Sequence, residues 1–407
     1  MAQTRILTGL DIGTTKIAAI IAEIGEADEP PRLIGLGMVP SEGLRRGVVV
    51  DLEKTVRAIA KAVSDAELMA GLKVDSVIAG LSGDHVRSIN SHGVIAVARS
   101  DREITELDVE RVIEAARAVA IPADREIIHV LPQEYIIDEQ TGIKVPVGMS
   151  GVRLETEVHI VTAAATAVRN IYRAINRCEI EVEALVLEAL ASSYALVGDE
   201  EQELGVAVID IGGSKTDIAV FFDGSIRHTS TVPLGGKNVT NDIAIGLRTP
   251  IDQADDIKMA YGAAMPSMVN ADEMISVPGI GGRGAREISR HVLASIIGPR
   301  MEEIFTLVQR EVKKANYSDT LAAGVVLTGG GSLLPGSVEL AEQIFDMPVK
   351  VGIPRRFEGL SDMIESPVHA AGVGLIQYGL THADEMVKKS RTMGMFKRME
   401  QWFNEHF

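Results

Sequence analysis

Short apolar runs alternate with amphipathic stretches along most of the chain, a pattern of strands interleaved with helices. Residues 5–10 and 17–21 bracket a polar turn and predict a β-hairpin, with a third strand at 33–40. Over 51–70 apolar residues recur at Val56, Ile59, Ala60, Val63 and Ala66; Asp51 can cap this helix and Gly71 follows its end. Residues 74–81 return to strand. The rhythm changes at Gly83: strand-like runs at 86–89 and 93–97, a helix over 106–120 opened by Thr105 and Asp108, then runs at 126–132 and 134–137. This block, of about 80 residues, reads as an insertion. Beyond it come strand 155–162, helix 166–177, strand 182–187 and helix 188–197.

The second half opens at Leu204 with the same plan: a strand to Ile209, a polar turn, and a strand over 218–222. Asp223-Gly224 is a strong turn into a third strand, 225–232. Helices follow at 237–247 and 251–261, the latter with Thr249 as cap and Pro250 in its first turn. Short strands within 268–277 precede a long helix over 286–314, jointed at Gly298-Pro299. A strand at 324–327, a helix, a short strand at 349–351 and a core helix over 368–378 complete the body.

At 407 residues the chain exceeds one ordinary core, so two or more domains are expected. Aromatics make up 4%, so the cores must be built from Ile, Val, Leu and Ala. A net charge of −17 argues against nucleic acid as a partner. A single cysteine, Cys178, excludes an intrachain disulfide framework, fits a reducing cytosol and reads as a small core hydrophobe. With no signal-like segment and no run of transmembrane length, the protein is expected to stay in the cytosol unless it attaches to a membrane surface.

The chemistry concentrates in the repeated turn. It reads Asp11-Ile12-Gly13-Thr14-Thr15-Lys16 in the first copy and Asp210-Ile211-Gly212-Gly213-Ser214-Lys215-Thr216-Asp217 in the second. Glycines and hydroxyls let the backbone N–H groups approach an anion, and each leading aspartate is suited to Mg²⁺, directly or through water. A third glycine turn, Thr328-Gly329-Gly330-Gly331-Ser332, ends a strand and allows close approach of a base or ribose. None of the three turns has Gly-x-Gly-x-x-Gly leading into a helix, as a Rossmann fingerprint would, and no P-loop is present. Two facing hairpins of this kind would grip a nucleoside polyphosphate from both sides.

These motifs resemble the actin-like ATPase superfamily, with residues 11–16 and 210–217 similar to its two phosphate motifs and 328–332 to its adenosine motif. Residues 188–194 and 367–374 look like its connecting helices. Within it, Leu81-Ser-Gly83, His129-Val-Leu-Pro-Gln-Glu-Tyr135 and Val147-Gly-Met-Ser-Gly-Val-Arg153 are similar to the bacterial FtsA family and its 1C subdomain. The resemblance implies an α/β fold of duplicated actin-like, ribonuclease H-like domains with an inserted 1C subdomain and a C-terminal amphipathic helix. The implied boundaries are 1–82 with 163–200 (1A), 83–162 (1C), 201–235 with 301–380 (2A) and 236–300 (2B), then a linker over 381–392 and a helix over 393–407. The implied ligands are ATP and Mg²⁺, with Asp11 and Asp210 at the metal. The phosphates and nucleoside fall to Gly13, Thr14, Thr15, Lys16, Gly212, Gly213, Ser214, Lys215, Thr216, Gly329, Gly330, Gly331 and Ser332. One departure stands out: Ser214-Lys215 replaces the usual Gly-Thr, and Lys215 adds a charge that helps or alters nucleotide binding.

Some residues admit two readings. Glu188, with Asp210, is a candidate catalytic carboxylate that orients water, or a polar helix-start residue. Lys258 flanks the adenine, or is a solvated helix-face lysine. Arg283, Arg286, Arg290 and Arg300 form a basic cluster in an acidic chain, with Arg286 and Arg290 at i, i+4 on one helix face. It is either a solvated face or a dock for an acidic peptide, which the resemblance identifies with the C-terminal peptide of FtsZ. The tail residues Met395, Phe396, Met399, Trp402, Phe403 and Phe407 share one helical face beside Lys397 and Arg398, a pattern suited to anionic lipids. Together these imply an ATP-binding, self-polymerising adaptor, at most a slow ATPase. It would tether FtsZ filaments to the cytoplasmic face of the inner membrane at the division septum and recruit later division proteins through 1C. The alternatives are a pilus-type actin-like adaptor and an actin-fold small-molecule kinase.

Overall fold

The computed structural model describes residues 5–25, 29–98, 102–315, 320–355 and 357–383. Two large sheets share one plan. In the first half the hairpin strands Arg5–Ile12, Lys16–Ile24 and Arg32–Pro40 run antiparallel in sequence. Ser76–Leu81 then joins Arg5–Ile12 in parallel, and Glu181–Leu187 joins Ser76–Leu81 in parallel. In the second half Val206–Ile211, Thr216–Phe222 and Ser225–Val232 form the antiparallel set. Val325–Thr328 and Val349–Val351 extend it in parallel.

The strands are near-continuous apolar runs because both faces of each sheet are covered. Leu10, Ile17, Ile20 and Ile21 are wholly buried in the first core, and Ile209, Ile218, Phe305 and Leu327 in the second. Full burial of one such side chain contributes about 1.5–3 kcal/mol. The helix Leu52–Ala70 forms as its pattern predicts: Asp51 accepts from the Lys54 N–H at its start, and Gly71 closes it in the left-handed region. The helices Glu188–Leu196 and Ala370–Thr381 pack on each other between the two halves.

The inserted block is a four-stranded antiparallel sheet of Arg87–Ala96, Arg153–Ala164, Arg125–Ile137 and Gln140–Ile143, covered by the helix Glu106–Arg117. The runs expected as separate strands on either side of Gln133 are one strand of 13 residues, with the ladder slipping by one residue at Gln133. Gln133 Nε2 donates to the Ile226 carbonyl at 2.7 Å, seaming this sheet to the second half. His159, buried in the same seam, bonds Asn90 Oδ1 at 2.6 Å and Thr229 Oγ1 at 2.9 Å.

Two expectations are corrected. The segment 286–314 is not one helix: Arg286–Ser289 is a strand paired with Met274–Val277, and the helix runs Arg290–Lys314. That helix is continuous through Gly298 and Pro299 rather than jointed. Second, Pro250, not Thr249, is the residue before the helix Ile251–Tyr261.

Candidate functional site

The two hairpin turns face each other across a cavity of about 850 Å³, which the glycine turn after Thr328 completes. The approach is close: Ser214 Oγ donates to Thr14 Oγ1 at 2.9 Å, and a Cβ on Gly213 would lie 2.2 Å from the Thr15 methyl. Asp11, Gly13, Thr14, Thr15, Lys16, Asp210, Gly212, Gly213, Ser214 and Lys215 all line the cavity. Glu188, Lys258, Gly329, Gly330 and Gly331 line it as well. Thr216 and Ser332, expected among them, do not. Thr216 is buried and bonds the Leu234 carbonyl; Ser332 is buried and bonds the Gly329 carbonyl.

Strand geometry sets the aspartates. Asp11 and Asp210 occupy matching places near the ends of the two first strands, opposite Ala18 and Asp217 respectively. Lys16 folds back onto Asp11 as an ion pair. Asp210 instead accepts from Ser192 Oγ at 2.7 Å. Burial drives the Asp210 carboxyl up to about 7; the Ser192 bond opposes this, and the Asp217 and Glu188 carboxylates add to it. Gly329 is at φ +76°, and a Cβ there would lie 2.3 Å from Asp210 Oδ1, so glycine is required on both counts.

Lys215 does not present its ammonium to the cavity as a free cation. It is buried and donates to Glu188 Oε2 at 2.7 Å, to Asp217 Oδ2 at 2.5 Å and to Ser82 Oγ. Burial opposes its charge, but the Asp217 and Glu188 carboxylates outweigh that and raise its pKa. Lys258 is held by Asp255 at 2.5 Å and Thr240 at 2.7 Å. Sequence reasoning missed Lys237, which lines the cavity and donates to the Thr14 carbonyl at 3.3 Å. Its signal was a lysine in the first turn of a helix, directly after Gly235-Gly236. Ser82, Ser192 and Asp217 were missed too; of these only Asp217, two residues beyond Lys215, lay within the repeated motif.

This donor set fits a nucleoside polyphosphate with a divalent cation. Glycine-lined turns allow close approach of phosphate, Lys16 and Lys237 supply cationic side chains, and the Asp11 and Asp210 carboxylates are among those that face the same space. Among the described residues no three His, Cys, Asp or Glu side chains form a ready metal cage. Mg²⁺ suits such a place, because it retains water and binds through one or two carboxylates plus phosphate.

The family model described as "Cell division protein FtsA" matches residues 207–374, and "SHS2 domain inserted in FTSA" matches 83–162. A Pseudomonas aeruginosa protein named Cell division protein FtsA is 46% identical over 413 residues, covering 99% of this chain and 98% of that one. The chain belongs to the FtsA family. FtsA proteins of Neisseria meningitidis and Escherichia coli are 44% and 39% identical, covering 100% and 99% of this chain and 99% and 98% of their own. The chain is thus a cell-division protein of actin-like fold. Among solved structures, the PilM–PilN type IV pilus biogenesis complex matches with a TM-score of 0.67 at 19% identity, covering 92% of this chain and 98% of that one. MreB5 of Spiroplasma citri bound to ADP matches with a TM-score of 0.54 at 15% identity, covering 94% and 98%. These two likenesses establish the fold alone.

The arginine cluster of this FtsA-family chain is not a shared helix face. Arg286 lies in the strand and donates to the Leu247 carbonyl at 2.7 Å. Arg290 bonds the Tyr261 carbonyl at 2.8 Å and Glu273 at 2.9 Å, and Arg300 forks onto Asp242 at 2.6 and 3.1 Å. Arg283 stands exposed on the loop before the strand. The tail residues Met395, Phe396, Lys397, Arg398, Met399, Trp402, Phe403 and Phe407 lie outside the described residues. No helix among the described residues is long and apolar enough to cross a membrane.

Proposed function

We propose that this chain is an ATP-binding, self-polymerising adaptor that tethers FtsZ filaments to the cytoplasmic face of the inner membrane at the septum. The observation that carries the reading is the cavity between two facing Asp-led hairpins in an FtsA-family chain. Bound ATP·Mg²⁺ would supply a polyanion bridging the two turns and so fix the two halves in one relative orientation. Lys16 and Lys237 would meet phosphate, Asp11 and Asp210 the cation, and the glycines at 329–331 the nucleoside. ATP acts here as a structural or switching ligand with slow turnover. The inserted 1C block would receive later division proteins.

The tail supplies membrane attachment in this reading, through Trp402 and its apolar neighbours with Lys397 and Arg398 toward anionic headgroups. One short helix binds weakly, so polymerisation adds the avidity that holds the array in place. The FtsZ peptide docks near residues 283–300. Because Arg286, Arg290 and Arg300 already have internal partners, Arg283 is the readiest of the four to meet an acidic peptide.

The test uses the full-length protein with vesicles containing anionic phospholipid and an FtsZ C-terminal peptide. Trp402→Glu is expected to abolish vesicle co-sedimentation while ATP binding and peptide binding persist. Unchanged co-sedimentation overturns the membrane assignment; failure of the unaltered protein to bind the peptide overturns the FtsZ assignment.

A further inference from the structure

The odd residue of the second turn, Lys215, meets the candidate water-orienting carboxylate directly. Four side chains close a buried network: Lys215 donates to Glu188 Oε2, Asp217 Oδ2 and Ser82 Oγ. Ser82 Oγ in turn donates to the same Glu188 oxygen, and Thr231 Oγ1 donates to Asp217 Oδ1 at 2.7 Å. The members come from different parts of the molecule. Ser82 follows the strand Ser76–Leu81, Glu188 opens the helix Glu188–Leu196, and Lys215 and Asp217 belong to the second hairpin.

The two oxygens of Glu188 are unequal. Oε2 accepts two hydrogen bonds, one from a full positive charge. Oε1 is buried without a partner, and a Cβ on Gly80 would lie 3.3 Å from it. A carboxylate orients and deprotonates water through an accessible, basic lone pair. Here one oxygen is taken up by the Lys215 ammonium and the Ser82 hydroxyl, and the other is buried.

We propose that Lys215 is a positioning residue that holds Glu188 out of action and thereby keeps hydrolysis slow. The proposal rests on the nucleotide reading given above. In the reaction restrained, the oxygen of water bonds the terminal phosphorus and the bond from that phosphorus to the ADP oxygen breaks. The proton leaving the water passes to Glu188 and then to solvent. Lys215 blocks the proton acceptor, not the ligand, so it governs kcat more than affinity.

The test keeps the net buried charge unchanged, because Lys215→Thr alone would leave both Glu188 and Asp217 without a cation. In the full-length protein, Lys215→Thr with Asp217→Asn is assayed for Mg-ATP turnover and, separately, for Mg-ATP affinity. It should turn ATP over at least about tenfold faster, with the change in kcat rather than KM. Adding Glu188→Gln should abolish the gain, and Lys215→Arg should stay slow. If the double variant does not fold, Ser82→Ala removes one donor to Glu188 Oε2 and should raise kcat by about threefold. A readout without nucleotide is the melting temperature: Lys215→Met with Glu188→Gln should melt above Lys215→Met alone, because an orphaned buried carboxylate is removed. Retained ATP binding with unchanged kcat overturns this proposal alone, as does a gain that survives Glu188→Gln. Absence of Mg-ATP binding by the unaltered protein overturns the nucleotide reading and this proposal with it.

Discussion

The first and second hairpin turns have the same backbone plan, and each carries a lysine five residues after its aspartate. Yet the lysines do opposite things. Lys16 folds back onto Asp11. Lys215 turns away from Asp210, which takes Ser192 instead. The cause lies across the ladder: the residue opposite Asp11 is Ala18, whereas the residue opposite Asp210 is Asp217. Asp217 and Glu188 together attract the ammonium more strongly than Asp210 does. A duplicated hairpin thus keeps its geometry while one substitution at a cross-strand position redirects its electrostatics.

The two lysines should respond very differently to removal. Lys215→Met leaves Glu188 and Asp217 buried without their cation and should cost about 3–5 kcal/mol of unfolding free energy in urea titration. Lys16→Met should cost about 1 kcal/mol, because the Lys16 side chain is 20% exposed and its pair is partly solvated. Equal losses would refute the distinction.

A pH effect marks the first turn. Burial, reinforced by the nearby charge of Lys16, holds His369 down to about 4 from an ordinary 6.5. Between those values the unfolded chain takes up a proton that the folded chain refuses, so stability falls as pH drops from 6.5 toward 4. His369→Phe should flatten that slope by at most about 1.4 kcal/mol per pH unit, read from urea titrations at several pH values. An unchanged slope would show that His369 is not held neutral.

The smallest effect on stability is expected at Asp217. Asp217→Ala makes the second turn resemble the first, with alanine opposite the aspartate. Lys215 should then move toward Asp210 and bring its carboxyl down from about 7, measured by carboxyl NMR. The change in stability should be about 1 kcal/mol, since one buried charge is removed as another pair forms. An Asp210 that still titrates near 7 would place the cause of its shift elsewhere.

The hairpins are legible in the sequence because apolar alternation and glycine-rich turns are local signals. The target of Lys215 is not, because Ser82 and Glu188 lie 133 and 27 residues away and only the folded chain brings them together. The arginine segment misleads for the same reason. Arg286 and Arg290 have helical spacing, but residues 286–289 find a strand partner in Met274–Val277, a tertiary choice that overrides local periodicity. A local clue was available: Ser289 caps the helix, its hydroxyl accepting the His291 N–H at 3.2 Å, and so marks the start. Ser332 and Thr216 illustrate a further limit, since a hydroxyl in or beside a glycine turn can bond a nearby backbone carbonyl as readily as a ligand.

The central claim is that the two turns hold one nucleotide through a cation shared by their aspartates. Calorimetric titration of the full-length protein with ATP, in Mg²⁺ and in EDTA, tests it most directly. The account predicts one ATP per chain, with Asp11→Ala and Asp210→Ala each weakening binding by at least about tenfold in Mg²⁺ and much less in EDTA. Binding that neither substitution alters, or that is indifferent to Mg²⁺, would contradict it.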